Sequence, residues 1–260
     1  MEFEKRKIAV IGATGKQGYG LALRWAIAGH DIVVGSRDAA KAKEAADGIA
    51  ARAADFASRA VPDLPDGLDP AELARRLAKG LPEPGSVTGA DNVAAAAAAE
   101  IVVLAVPFSA QQDLIAPLKD AVAGKLVIDV TAPLVPPRVG TVHLPEGGSA
   151  VLQTQQILGE EAEVVAAFQN IAAQHLADPD HEIECDVLVC GNKKAMREIA
   201  IQLAADAGMT GWHAGPLANA VAAEAMTAVL ISINRAHGIP GSGIRITGTP
   251  AAKDGPVPQK

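Results

Sequence analysis

Residues 7–41 read KIAVIGATGKQGYGLALRWAIAGHDIVVGSRDAAK, and this stretch limits the possible folds more than any other. A short apolar run at residues 8–11 meets three glycines spaced by threes, Gly12, Gly15 and Gly18. A helical pattern then continues to Gly29, and a second apolar run at residues 32–34 ends in Gly35, Ser36 and Arg37. The order is strand, tight turn, helix, strand. In such a unit Gly15 lets the backbone approach a pyrophosphate, and Gly18 lets the helix pack closely on the strand. The free N–H groups at the helix start attract anions. Ala13 stands where the usual G-x-G-x-x-G pattern has its first glycine, with Gly12 before it. The glycines alone are a weak signal. The strand before them, the helix after them and the second strand on schedule make it a strong one.

The tip of the second strand narrows the nucleotide. A carboxylate there would hydrogen-bond a ribose 2′-hydroxyl and repel a 2′-phosphate. This chain has Ser36, which can donate, and Arg37, whose planar fork suits phosphate. Lys41, one helical turn after Arg37, offers a second charge and reads equally as a solvated lysine. The expectation is a site for NADP in preference to NAD.

The same alternation runs through most of the chain. Buried strands are expected at residues 8–11, 32–34, 101–106, 126–130, 164–168 and 187–190, with a short one near 211–213. Helices are expected at 16–28, 38–57, 92–99, 110–118, 150–158, 193–206 and 219–237. The fold class is therefore α/β: a Rossmann-like, doubly wound, mostly parallel sheet with a smaller C-terminal α/β domain. The division expected is a nucleotide-binding domain over 1–150 and a C-terminal domain over 151–248. A proline-bracketed surface insertion falls at about 61–85, and a disordered Pro/Gly/Lys-rich tail at 249–260. Met226, Val229, Leu230 and Ile233 lie at helical spacing and read as a core or dimer-interface stripe.

Composition removes several function classes. With a net charge of −7 and no long basic run, the chain is a poor nucleic-acid binder. Aromatic residues make up 3%, so the core must be aliphatic and base stacking has little to work with. The two cysteines, Cys185 and Cys190, have no second pair for a zinc site, and no metal is expected. Their odd spacing sends them to opposite faces of one strand, as buried reduced thiols in a cytoplasmic protein. No signal peptide is expected, because MEFEKRK leads straight into the first strand, and no uninterrupted apolar run approaches membrane-spanning length.

The chemistry-bearing residues are conspicuous by their scarcity. Two strand exits, VVLAVPF at 102–108 and the proline-rich 127–136, would wall a cleft at the ligand-binding edge. No Ser-His-Asp arrangement and no H-E-x-x-H motif occurs. The six histidines are scattered and each reads as structural or exposed. A reductase acting on a keto group needs a proton donor. Hydride exchange between two bound rings needs mainly their alignment.

At this point the residues carry a resemblance. The segments IGATGKQGYGLALRWAIAGHDIVVGSR, VVLAVPF, APLVPP, VVAAFQNIAA, CDVLVCG, HAGPLANA and GIPGSGIRI occur in order across nearly the whole chain. Together they resemble the NADPH-dependent reductases of the deazaflavin coenzyme F-420, the F-420H2:NADP oxidoreductases. The stretch at about 61–85 and the tail after residue 248 fall outside that pattern. The resemblance implies hydride exchange between the nicotinamide C4 and the deazaflavin C5, with NADP(H) and coenzyme F-420 as co-substrates in a homodimer. It puts the pyrophosphate on Thr14, Gly15, Lys16 and Gln17 and the 2′-phosphate on Ser36, Arg37 and Lys41. It lines the nicotinamide site with Val106, Pro107 and Phe108, with Pro133 and Val135 nearby. Gln169, Ile171 and Ala172 would face the deazaflavin, and Ser242 and Gly243 would close over it. Some relatives carry histidine at the position of Gln169, which implies a positioning residue here and no catalytic acid. Arg245, Lys193 and Lys194 are candidates for the anionic tail of coenzyme F-420, and read equally as solvated charges. Two alternatives stay open: a Rossmann reductase of a small imine or keto substrate, and a non-catalytic NADP sensor.

Overall fold

The computed structural model describes residues 4–59 and 83–248. The first half runs β1 (Lys7–Ile11), α1 (Lys16–Ile27), β2 (Asp31–Ser36), α2 (Ala39–Arg59), β3 (Val87–Asp91), α3 (Asn92–Ala98), β4 (Ile101–Leu104), α4 (Gln111–Ile115) and β5 (Leu126–Asp129). The second half runs α5 (Ala150–Leu158), β6 (Glu163–Ala166), α6 (Ala173–Leu176), β7 (Val187–Gly191), α7 (Lys194–Asp206), β8 (Gly211–His213) and α8 (Ala220–His237). All eight strands join one sheet in the order β3-β2-β1-β4-β5-β6-β7-β8. Every pairing is parallel except β6 with β7.

The apolar runs are continuous because both faces of the sheet are covered. Ile8 and Val10 of β1 enter one buried cluster, with Leu21 and Trp25 of α1, Ile49 of α2 and Leu203 of α7. Ala9 and Ile11 enter the other, with Ala95 of α3, Ile115 of α4 and Val151 of α5. The period of two is thus visible residue by residue. Cys185 packs in the first cluster and Cys190 in the second, both as free buried thiols, though Cys185 lies two residues before β7 and not on the same strand as expected.

Three expectations need correction. Strand β3 (VTGAD) was not expected, because one valine and one alanine make no apolar run; it is an edge strand held by its register with β2. Gly89 lets it lie against α2, where a Cβ would strike the backbone of Ala42. The helix expected at 110–118 is broken into the single turn-and-a-half of α4, followed by a 3₁₀ turn at Ala116–Leu118. Pro117 in that turn has no N–H to continue an α-helix. Short helix α6 carried too few residues to register as a pattern. The expected insertion lies outside the described residues except at its end, where the Gly85 N–H donates to the Ala26 carbonyl (2.8 Å). The expected tail at 249–260 also lies outside them.

Helix α1 is pinned to the C-terminal third by two side chains. Trp25 Nε1 donates to the Leu203 carbonyl of α7 (2.8 Å). Arg24 is buried and donates to the carbonyls of His175, Leu176, Asp178, His181 and Ala207 at 2.6–3.3 Å. Burial lowers its pKa, with the nearby Asp178 charge acting the other way. His30 is equally well held: Nδ1 accepts from the Arg6 N–H (3.1 Å), so Nε2 carries the proton toward Asp206 (3.0 Å). Replacing the Arg24 guanidinium by an apolar chain leaves several carbonyls without a donor. Arg24→Met is expected to lower unfolding stability by about 2–4 kcal/mol, read from urea denaturation. A change below about 0.5 kcal/mol would show that water replaces the guanidinium at no cost.

Candidate active-site cleft

The sheet reverses its winding between β1 and β4, and the C-terminal ends of the parallel strands open there into a crevice. The crevice is a cleft of about 880 Å³, at the upper end of the range for ligand sites of about 300–1,000 Å³. The exits of β1, β2, β4, β5 and β6 all reach it, and one side of α8 closes it.

At the β1 exit, Gly12 adopts φ +89°, where a Cβ would also strike the Ala105 carbonyl. A Cβ on Gly18 would come within 2.8 Å of the Gly12 oxygen, so α1 sits as close as glycine permits. Helix α1 begins at Gly15 with no side-chain cap. Its first N–H groups therefore face the cleft unpaired by a capping oxygen, the arrangement that holds a phosphate. Thr14, Gly15, Lys16 and Gln17 all line this end.

The β2 exit brings Ser36, Arg37 and Lys41 to the same end, with both cations exposed. A carboxylate, Asp38, lies between Arg37 and Lys41. Asp38 Oδ1 accepts from the N–H groups of Ala40 (2.9 Å) and Lys41 (3.3 Å), so it caps α2. Its charge is turned to the helix, and Arg37 remains the group presented at the strand tip.

The other end of the cleft is nearly neutral. Val106, Pro107 and Phe108 line it from β4, and Gln169, Ile171 and Ala172 line it from β6. Ser242 closes one side, where its N–H donates to Asn234 Oδ1 (2.8 Å). Three expected residues are not brought to the cleft. Pro133 and Val135 are replaced by Ala132, Leu134 and Pro136, because side chains alternate along the extended exit of β5. Gly243 packs against Cys185, where a Cβ would lie 2.5 Å from the cysteine Cβ. The candidates for an anionic tail are paired elsewhere: Arg245 with Glu184 (3.3 Å), Lys193 with Glu163, and Lys194 with Glu198 (3.4 Å).

Several lining residues were not among those expected at the site. Thr227, Leu230, Ile231 and Asn234 form one stripe of α8 at i, i+3, i+4, i+7. The stripe read from sequence splits accordingly: Leu230 faces the cleft, while Val229 and Ile233 are exposed. Asn170 also lines the cleft, and its Nδ2 donates to the Asp186 carbonyl (2.9 Å). Adjacency to Gln169 was the available signal for it.

Two buried acids lie beneath this end without lining it. Asp129 accepts from Thr154 Oγ1 (2.5 Å), the Thr131 N–H (2.8 Å) and Gln111 Nε2 (3.2 Å). Burial nonetheless raises its pKa. Glu224 of α8 reaches the start of α5, accepting from Ser149 Oγ (2.5 Å) and the N–H groups of Ala150 (2.8 Å) and Val151 (3.1 Å). Burial pushes its pKa up to about 7, and the Asp129 charge adds to the rise.

The chain matches the family model described as NADP oxidoreductase coenzyme F420-dependent over residues 7–64 and 69–133. It is similar over nearly its full length to the F420-dependent NADP reductase of Methanothermobacter thermautotrophicus. The two are 36% identical over 249 residues, which cover 94% of this chain and 96% of the relative. The chain belongs to the F420-dependent NADP reductase family. The enzyme of that name from Methanothermobacter marburgensis is 34% identical over 94% of this chain and 99% of its own. Among solved structures, a protein of Arthrobacter sp. FB24 proposed to be an F420-dependent NADP-reductase superposes with a TM-score of 0.66. At 24% identity, over 94% of this chain and 100% of that one, it establishes the shared fold. The family expectation drawn from the glycine turn and the later segments is thereby met.

The buried carboxyl at α5 makes a pH-dependent prediction. A carboxyl raised from 4.5 to about 7 favours the fold most below its unfolded value, and that contribution is lost as pH rises through about 7. Glu224→Gln removes the titration. The variant is expected to gain on the wild type by on the order of 3 kcal/mol between about pH 5 and pH 8, followed by denaturant unfolding. Two stability profiles that stay parallel over that interval would show that Glu224 is ionised throughout.

Proposed function

We propose that this chain exchanges a hydride between NADP(H) and the deazaflavin coenzyme F-420, with the two held end to end in the cleft. One observation carries this reading beyond family membership. Among the described lining residues the ionisable side chains are Lys16, Arg37, Asp38 and Lys41, and all four belong to the nucleotide end. The ring end offers hydroxyls, amides and apolar groups, so it can align rings and exclude water. It has no acid or base to protonate a keto or imine substrate. His143 lies 6.2 Å from the Phe108 ring, centroid to centroid, outside the lining.

Each end then has a definite task. The uncapped start of α1, with Thr14, Gly15 and Lys16, holds the pyrophosphate, and Ser36, Arg37 and Lys41 hold the 2′-phosphate. Val106, Pro107 and Phe108 pack against the nicotinamide. Gln169, Ile171 and Ala172 face the deazaflavin, with Ser242 beside it. When both are bound, the hydride passes between the nicotinamide C4 and the deazaflavin C5. Orientation of two bound rings replaces a chance encounter, which is the main rate gain such a site can supply. Gln169 serves as a positioning amide, since its Nε2 donates to the Asp129 carbonyl (2.8 Å).

The reading extends to assembly and placement. Val229 and Ile233 stand one turn apart on α8, and with Ile239 they leave an apolar face 37–41% exposed. A second copy of the chain would cover it, making a homodimer. Among the described residues, Leu217–His237 is long and apolar enough to cross a membrane by length and composition. The cleft-lining stripe on it supports a helix packed in the protein instead, in the cytoplasm. We also keep the division near residue 150 as a proposal, with the C-terminal part closing the deazaflavin side.

Purified protein mixed with NADPH and oxidised coenzyme F-420 is expected to bleach the visible absorbance of the oxidised deazaflavin. Absence of bleaching, with both molecules shown to bind, would sink the proposal. Arg37→Glu is expected to weaken NADPH by about 1.5–3 kcal/mol or more, the value of a charge-assisted bond, while NADH changes little. An unchanged ratio of NADPH to NADH affinity would remove Arg37 from the 2′-phosphate site.

A further inference from the structure

We propose that Gln17 is a positioning residue that ties the glycine turn to the wall of the second-ring site. The identity of that ring rests on the hydride-exchange reading above; the tie itself does not.

Gln17 sits in the first turn of α1, where its backbone N–H is available to an anion. Its side chain is engaged elsewhere. Gln17 Nε2 donates to the Phe168 carbonyl at 2.9 Å, across 151 residues of sequence. Phe168 is the sole non-glycine residue with positive φ among those described, at +69°, and it is fully buried. A bulky side chain rarely occupies that region, so the surroundings must hold it there. Its ring meets Trp25 of α1 edge-on, with centroids 5.8 Å apart and planes at 76°. Its carbonyl takes the Gln17 amide. The following residue is gripped as well: Gln169 Nε2 donates to the Asp129 carbonyl, and Thr227 Oγ1 donates to the Gln169 carbonyl (2.9 Å).

The left-handed step at Phe168 turns the chain as it leaves β6. The residues after it, Gln169 to Ala172, become the cleft wall. Gln17 therefore contacts the origin of that wall while standing in the phosphate turn. Any displacement of the turn would be passed directly to the peptide that sets the direction of Gln169. The resemblance places Gln17 at the pyrophosphate; its backbone N–H can serve there while its side chain takes this separate role.

Gln17→Leu keeps the backbone N–H and removes the amide, at a half-buried position that tolerates the change. Amide hydrogen exchange of residues 168–172 is expected to quicken by about threefold to tenfold, the worth of one hydrogen bond. The dissociation constant of NADPH is expected to stay within about twofold, while KM for coenzyme F-420 rises by about threefold to tenfold and kcat falls. Gln17→Ala repeats the measurement should leucine disturb packing. Unchanged exchange at 168–172 in both variants overturns the proposal. So does an about tenfold loss of NADPH affinity with unaltered F-420 kinetics, which would return the side chain to the pyrophosphate. Faster exchange at 168–172 in a protein that binds no coenzyme F-420 upholds the tie and removes the reading of the second ring.

Discussion

Helix α1 is the member on which the two halves of the molecule depend, and two glycines decide where it lies. Gly18 lets its first turn approach the β1 exit more closely than any side chain would allow, and Gly20 does the same against Leu176. From that seat three side chains on the helix reach the second half of the chain: Gln17 to Phe168, Arg24 to residues 175–181 and 207, and Trp25 to Leu203. Moved outward by the thickness of a methyl group, the helix would lose the geometry of all three. The glycine turn thus does more than admit a phosphate. It fixes the distance at which the chain's beginning can grip its end.

Much of this was legible in the sequence because parallel strands covered on both faces write themselves as apolar runs. Residues 8–11, 101–104 and 126–128 are such runs, and their alternate residues divide cleanly between two clusters. Strand β3 was not legible, because an edge strand with glycine at its centre owes its place to pairing with β2 and to close contact with α2. The cleft shows the same division. The residues on the glycine turn and the strand tips could be named, since there the backbone dictates position. Pro133 and Val135 could not be separated from Leu134 and Pro136, because in an extended exit the face each residue takes depends on its neighbours. The split stripe on α8 needed tertiary structure in a further sense. Periodicity marks an apolar face, and it does not say whether that face meets a core, a ligand or a second chain.

The acids illustrate how placement decides chemistry. Asp129 and Glu224 are the sort of raised carboxyls that often mark a catalytic pair. Here every hydrogen bond on them is structural. Asp129 gathers the exit of β5, α4 and α5, and Glu224 fastens α8 to the first turn of α5. The helix that supplies one wall of the cleft is therefore moored from behind by a carboxyl group that does not line it.

That arrangement leaves the charges of the cleft graded from one end to the other. Cations and an uncapped helix start occupy one end, an environment suited to phosphates, whose charge does not change during a hydride exchange. The ring end is neutral, where charge must shift between two aromatic systems. A fixed charge beside those rings would stabilise one bound redox pair over the other and so alter the rates of the two directions, whereas the net direction is set by the potentials and concentrations of the two carriers in solution. A neutral ring end, anchored through Gln169 to Asp129 and Thr227, suits an exchange that turns over in both directions, because hydride transfer between aligned rings asks for orientation before it asks for an acid or base.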